Sequence, residues 1–318
     1  MEIRQIEPEE RRVSLEGMYL SHRLQELSKR IVRPIVVANY VTDLNDMIAV
    51  EGVRGSPEEL KNPSDWRLFQ ELTAQADAII TGASYMTEFE ENGESVQNVL
   101  TQFDKGSNFE DLGDWREQNG LKRNPDLVVV SRSLNFSVPD AILESGRKIL
   151  IFTTDRMQNS ENGEELEKAG ATVIGAGEEG VDGAVMIERL GQEGYGVIKM
   201  ITGPRVLKIL MVAEFTNQEG EVIRRGALDR LYITRVDRKI TEDLSTAITV
   251  LEGRKVDDLA SEGGCFRLIQ RYAHDKVTGN DGVETSQEFL VFERRDIASG
   301  SPDRWTPNES ADLPTAVL

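Results

Sequence analysis

Short apolar, β-branched runs alternate with amphipathic helical stretches along much of this chain, and that alternation most constrains its fold. RPIVVANYV (33–41) reads as a strand, and PSDWRLFQELTAQ (63–75) as a helix entered at Ser64, with Trp66, Phe69 and Leu72 on one face. ADAIITG (76–82) is a buried strand ending in glycine, and LVVVSRS (127–133) and KILIFTT (148–154) are strands. SENGEELEKAG (160–170) is an amphipathic helix closed by Gly170, and ATVIGAG (171–177) is a strand. DGAVMIERLGQEG (182–194) is a helix, GVIKMITG (196–203) a strand, and PRVLKILMVAEF (204–215) a helix with Pro204 in its first turn. Strands separated by helices predict an α/β fold, with a mixed, mostly parallel sheet and helices on both faces.

The remaining segments fit around this frame. Residues 1–32 are polar, with helical spacing at Met18, Leu20, Leu24 and Leu27, and are expected to form an arm or short docking helix. Residues 33–297 are expected to form one domain, with insertions near 86–124 and 217–226. The first is rich in Glu, Asp, Asn and Gly and reads as a surface excursion, the second as a loop or hairpin. LDRLYITRV (228–236) and EFLVFERRD (288–296) are expected to be antiparallel closing strands, and 298–318 a loosely ordered tail.

Charge and residue counts remove several functions. Among 318 residues, 37 Lys plus Arg stand against 56 Asp plus Glu, a net charge of -19. Neutralising nucleic-acid phosphates or an anionic membrane surface needs a basic face, so neither partner is expected. One cysteine, Cys265, cannot make an internal disulfide, and with only His22 and His274 it cannot complete a Cys/His zinc site, so no metal is expected. MEIRQIEPEERR lacks the apolar core of a signal peptide, and no apolar run approaches the ~20 residues of a membrane helix. A cytoplasmic protein is the expectation. Both histidines read as surface or structural residues. The elbow G-x-S-x-G, the phosphate loop GxxxxGK[ST] and a G-x-G-x-x-G after the first strand are all absent.

Ligands of open α/β sheets collect at the carboxyl ends of the strands, and four such ends carry suitable residues. In NYVTDLNDMIA (39–49), Asp43, Asn45 and Asp46 could meet a substrate or proton, or could form a plain acidic turn. In TGASY (81–85), Gly82 allows close backbone approach and Ser84 can cap the next element. VVVSRS (128–133) places Ser131 and Arg132 where a phosphate monoester could be held, although an exposed arginine needs no ligand. In ITGPRVL (201–207), Gly203 and the first amides of the next helix form an anion site that Arg205 could reinforce.

In order and spacing, RPIVVANYVTDLNDMIAV, SDWRLFQELTAQADAIITGASY, DLVVVSRSL, VIKMITGPRVL and ALDRLYIT resemble the reductase family of riboflavin biosynthesis, which shares the dihydrofolate-reductase fold. The likeness spans about residues 33–236 and echoes in EFLVFERR. It implies NADPH as hydride donor, a homodimer, and a ribosylaminopyrimidine 5′-phosphate whose ribose is reduced to a ribityl chain. Carried onto this sequence, it implies catalytic roles for Asp43 and Asn45 and substrate contacts from Asn39, Thr42 and Arg67. Cofactor contacts are implied for Thr81, Gly82, Ala83, Ser84, Ser131, Arg132, Thr202, Gly203, Pro204, Arg205 and Val206. The chain departs from the family where Ser-Leu-Asp-Gly is replaced by Asp43-Leu44-Asn45-Asp46, and Glu-Gly-Gly-Pro by Ile201-Thr202-Gly203-Pro204. Two other readings stay open: a nucleotide-binding protein without turnover, and a reductase of a different small carbonyl or pterin.

Overall fold

The structure is a computed structural model that describes residues 1–51, 56–92, 103–241 and 244–298. In it the valine- and isoleucine-rich runs become the interior of one eleven-stranded sheet. In chain order the strands are β1 (Glu2–Glu7), β2 (Arg11–Ser14), β3 (Ile35–Thr42), β4 (Met47–Val50), β5 (Ala78–Gly82), β6 (Asp126–Val130), β7 (Ile149–Thr153) and β8 (Thr172–Gly175). They continue with β9 (Val197–Met200), β10 (Glu214–Thr216), β11 (Val222–Arg225), β12 (Arg230–Val236), β13 (Ala247–Thr249), β14 (Phe266–Thr278) and β15 (Glu284–Arg294). The main sheet has the order β2-β1-β14-β15-β12-β3-β9-β5-β6-β7-β8. From β12 to β8 all neighbours are parallel, and from β12 through β15, β14 and β1 to β2 all are antiparallel.

Alternate residues of each central strand enter two separate cores, as the two-residue period of a strand requires. Ile35, Val37, Ile79, Leu127 and Val197 face one side, and Val36, Ala38, Ile80, Val128 and Ile198 the other. On the first face pack α1 (Leu24–Ile31), α2 (Pro63–Gln75), α3 (Ala83–Asn92), α5 (Asp140–Leu143) and α7 (Glu161–Lys168), through Leu24, Leu68, Leu72, Met86, Ile142 and Leu166. α4 (Glu110–Gln118) lies against α2 around Phe103 and Leu112, and the short α6 (Asp155–Gln158) follows β7. The second face carries α8 (Gly183–Gln192) and α9 (Pro204–Val212), through Met186, Ile187, Leu190, Leu207 and Leu210. α10 (Arg295–Ala298) follows β15.

Local chemistry accounts for the helix ends. Asn62 caps α2 by accepting from the Asp65 amide at 2.9 Å, with Pro63 as the first helical residue, so the helix begins earlier than the expected Ser64. Gly170 follows α7 with φ +102°, a left-handed conformation that glycine adopts without strain.

Several expectations need correction. Residues 1–14 form the hairpin β1–β2 rather than an arm, and β1 pairs with β14. The 228–236 strand is antiparallel to β15 but parallel to β3, because α9 and the β10–β11 hairpin return the chain to the start of the sheet. β12 and β15 are also interior strands of the sheet with buried residues. Within the 86–124 excursion, 103–118 packs through buried Phe103 and Leu112. The long β14 has no counterpart among the sequence expectations. The tail from 299 onward and residues 93–102 lie outside the described residues. Among the described residues no helix is long and apolar enough to cross a membrane, and no group of His, Cys, Asp or Glu could hold a metal ion.

Candidate functional site

The parallel strands all end at one edge of the sheet, and there two neighbours send their chains to opposite faces. β5 runs into α3 on the first face, while adjacent β9 runs into α9 on the second. Divergence of two adjacent strands opens a crevice between their carboxyl ends, the place where open α/β sheets bind ligands.

Gly82 lines this crevice. A Cβ at Gly82 would lie 3.4 Å from the Thr202 hydroxyl and 3.8 Å from that of Ser84, so the glycine keeps open a cradle rimmed by two hydroxyls. Thr81 below it is fully buried, and its hydroxyl has no hydrogen-bond partner. Opposite, exposed Gly203 is the N-cap of α9 and offers no side chain to the helix's first amides. Pro204 supplies none of those amides, Arg205 is exposed, and Val206 is buried beneath the turn. Ala83 and Ser84 open α3. The crevice thus joins the positive ends of two helices, an arrangement suited to a bridging anion such as a pyrophosphate. One strand further along, Ser131 accepts from the Leu134 amide at 3.1 Å, fixing the turn from which exposed Arg132 projects.

Tyr40 adds a contact that the sequence did not announce. From β3 its hydroxyl donates to the Thr202 carbonyl at 3.1 Å, fastening the β9–α9 turn to the neighbouring strand. Burial raises this phenol above its usual pKa, so it remains a donor.

In the turn after β3 the acids serve the chain itself, the acidic-turn alternative of the sequence reading. Asp43 is fully buried, and one carboxylate oxygen accepts from the amides of Asn45 at 2.7 Å and Met47 at 3.0 Å. The other faces the Ile240 amide at 3.4 Å. Asp46 adopts φ +63°, and its carboxylate is held by Arg235 at 2.9 Å and the Val256 amide at 3.1 Å. Both acids therefore shape the turn, while half-buried Asn45 accepts from Lys255 through its carbonyl at 3.1 Å. Asn39 is half-buried with its carbonyl oxygen unpaired, and Thr42 is fully buried with an unpaired hydroxyl. Arg67 on α2 is already engaged, with Glu71 at 3.0 Å and Asp111 at 2.8 Å.

The structure thus brings Gly82, Ser84 and Thr202 together and places Asn39, Thr42, Asp43 and Asn45 along and beyond β3. It also reveals a buried pair absent from the sequence reading. Lys199 on β9 donates to the Phe69 carbonyl and the Thr73 hydroxyl, each at 2.7 Å, and lies near Asp65. A lysine inside the apolar run VIKMI was its visible signal.

Residues 34–219 match the family described as the RibD C-terminal domain. Among solved structures, a pyrimidine reductase-like protein from Corynebacterium diphtheriae superposes with a TM-score of 0.57 at 21% identity. That match covers 89% of this chain and 99% of the other. RibD of Acinetobacter baumannii gives a TM-score of 0.50 at 13% identity over 82% of this chain and 58% of its own. Both share the α/β fold with its mixed, mostly parallel sheet. No curated protein matches.

Proposed function

Because the chain belongs to the RibD C-terminal domain family, we propose that it is a reductase that takes hydride from NADPH and acts on a ribosylaminopyrimidine 5′-phosphate, reducing its ribose to a ribityl chain. The observation that carries this reading is the crevice between β5 and β9, where Gly82 leaves room beside Thr202 and two helix starts converge. Those residues fit a dinucleotide. Amides and hydroxyls at Gly82–Ser84 and Thr202–Val206 would hold its pyrophosphate, and Ser131 and Arg132 its adenosine phosphate. When bound, the cofactor supplies a hydride and its electron pair. The chain's own residues orient the partners: Tyr40 fixes the Thr202 turn that would face the cofactor.

The test is NADPH oxidation, followed by absorbance, with the pyrimidine substrate. Substrate-dependent oxidation supports the reading. Cofactor binding without turnover supports the rival, a nucleotide-binding protein. That rival is favoured by one observation: both acids of the 43–46 turn are committed to backbone amides and Arg235. Turnover of another carbonyl or pterin would keep the cofactor and change the substrate. The chain is further proposed to act as a homodimer, and a 35.6 kDa particle by light scattering would refute this.

A further inference from the structure

At the edge of the sheet opposite the crevice, a hairpin turns apolar residues to solvent. β10 and β11 form a separate two-stranded sheet, reached from the end of α9 and followed directly by β12. A ribbon of two strands is marginal in water, so its seat has to hold it. Phe215 and Arg224 are opposite each other and buried. The Arg224 guanidinium lies 5.0 Å from the Phe215 ring centroid and donates to Asp229 at 2.8 Å. Arg294 of β15 donates to the carbonyls of Arg225 and Gly226. The turn is fixed as well, since the Asn217 side chain accepts from the amides of Glu219 at 3.0 Å and Glu221 at 2.9 Å. The anchored hairpin leaves Val222 41% and Ile223 44% exposed. Val212, the last residue of α9, is 65% exposed, and Val185 of α8 is exposed too. These two helix ends adjoin, because a Cβ on Gly183 would lie 3.2 Å from that of Ala213. Four of the eight exposed large apolar residues among the described residues thus belong to this one region, and clustering of that kind marks an interaction surface.

We propose that this face, centred on β11, is where two copies of the chain meet, related by a twofold axis through Ile223. The proposal rests on the homodimer reading above and gives it a surface. Glu221-Val222-Ile223-Arg224-Arg225 carries an acid at one end, an arginine at the other and apolar residues between them. Such a strand is complementary to its own reversed copy. A twofold axis at Ile223 lays the two β11 strands antiparallel and sets the two Ile223 side chains against each other. It also brings Glu221 of each copy to Arg225 of the other, while each Arg225 keeps its own Glu214. A parallel arrangement would instead oppose acid to acid and arginine to arginine. The chain carries 56 acidic against 37 basic residues, so two copies repel over most of their surfaces, and a locally self-complementary strand overcomes this. Contact runs through side-chain faces rather than backbone addition, because the register shift at Phe215 and Thr216 bulges the ribbon and interrupts a regular edge. A stable interface takes roughly 20–30 residues from each partner, more than the hairpin holds, and Val185 and Val212 extend the apolar surface along α8 and α9. The crevice between β5 and β9 lies at the far edge, so pairing here leaves it open in both copies.

The experiment follows the full chain by sedimentation and light scattering from nanomolar to micromolar concentration. Wild type is expected at twice 35.6 kDa. Ile223→Glu sets two like charges on the axis and is expected to raise the dimer dissociation constant at least about 30-fold. Its circular dichroism and NADPH affinity should match wild type. Arg225→Glu should weaken the dimer, and Glu221→Arg combined with Arg225→Glu should restore it, a reciprocity that loss of structure would not give. In a Cys265→Ser background, which removes the native thiol, Ile223→Cys should link two copies under mild oxidation. Val283→Cys, comparably exposed on another surface, should not. A wild type of 35.6 kDa at every concentration overturns the homodimer reading and this surface together. A dimer that survives Ile223→Glu, or that links at Val283→Cys as readily as at Ile223→Cys, overturns the surface alone. Should Ile223→Glu fail to fold, the charge exchange and the cross-links decide between the same outcomes.

Discussion

Asp46 and Arg235 bind each other at 2.9 Å, and this pair ties the turn after β3 to the neighbouring strand β12. Asp46 occupies a left-handed backbone position that glycine would adopt more easily, φ +63°, so strain is accepted there in return for a buried charge pair. The sign of an Asp46→Gly substitution tells which effect dominates. Relief of the backbone is worth about 1 kcal/mol, whereas removing one partner of a buried pair costs about 3–5 kcal/mol. Asp46→Gly is therefore expected to lower stability in urea unfolding by about 2–4 kcal/mol, and a gain would show that the strain outweighs the pair.

Asp43→Ala should act first on stability. Its buried carboxylate serves the Asn45 and Met47 amides, and each orphaned buried donor costs about 1–3 kcal/mol. The expected result is a clear drop in Tm with NADPH affinity reduced little at temperatures where the protein remains folded. A Tm unchanged within a degree would restore Asp43 as a reacting group.

Gly82→Ala should leave the fold intact, because Gly82 needs no left-handed backbone and alanine suits a strand end at least as well. Its methyl would enter the space beside Thr202. Cofactor affinity, measured by fluorescence titration, is expected to fall about tenfold at unchanged Tm. Equal affinity would place the dinucleotide elsewhere.

Arg132→Ala should separate the two nicotinamide cofactors. If Arg132 meets the adenosine phosphate, its loss removes a charge-assisted contact worth about 1.5–3 kcal/mol, roughly ten- to a hundredfold in NADPH affinity. NADH affinity should hardly change, and the preference for NADPH should shrink with added salt. Equal losses for both cofactors would exclude that contact.

His22 should make stability depend on pH. It is half-buried beside Tyr232, with its Nδ1 2.9 Å from the phenol oxygen, and loss of solvent around the ring pushes its pKa down to about 3. Between pH 6.5 and 3 the unfolded chain binds a proton that the folded chain refuses, so this contribution is complete above 6.5 and is lost as pH falls towards 3. His22→Gln should flatten that part of the stability curve in urea titrations, and an unchanged slope would assign it to other groups.

The parallel strands were legible because β5, β6, β7 and β9 are buried on both faces and appear as mostly apolar runs, broken in β9 only by Lys199. β14 was not, since FRLIQRYAHDKVT alternates charge with apolar residues and has no such run. The hairpin 1–14 was hidden for a similar reason, with Ile3 its one deeply buried apolar residue and Val13 half-buried. At the site, glycine and hydroxyl positions pointed to the crevice because the type of residue itself permits close approach. Carboxylates gave no such indication. In sequence, Asp43 and Asp46 look the same whether they meet a ligand or backbone amides, and only the fold separates these uses.

The pairing of β1 with β14 joins segments made far apart in synthesis, as in the contact between Arg4 and Asp275, 271 positions apart. While the chain is being made, β1 has no partner on that side until β14 emerges, and its row of unpaired amides and carbonyls is open to other chains. Pairing at such separation also closes slowly, because the loop entropy is lost before the contact repays it. A strand made long before its partner is thus among the last to find its place, and chains stalled before residue 266 carry an adhesive edge that the finished protein conceals.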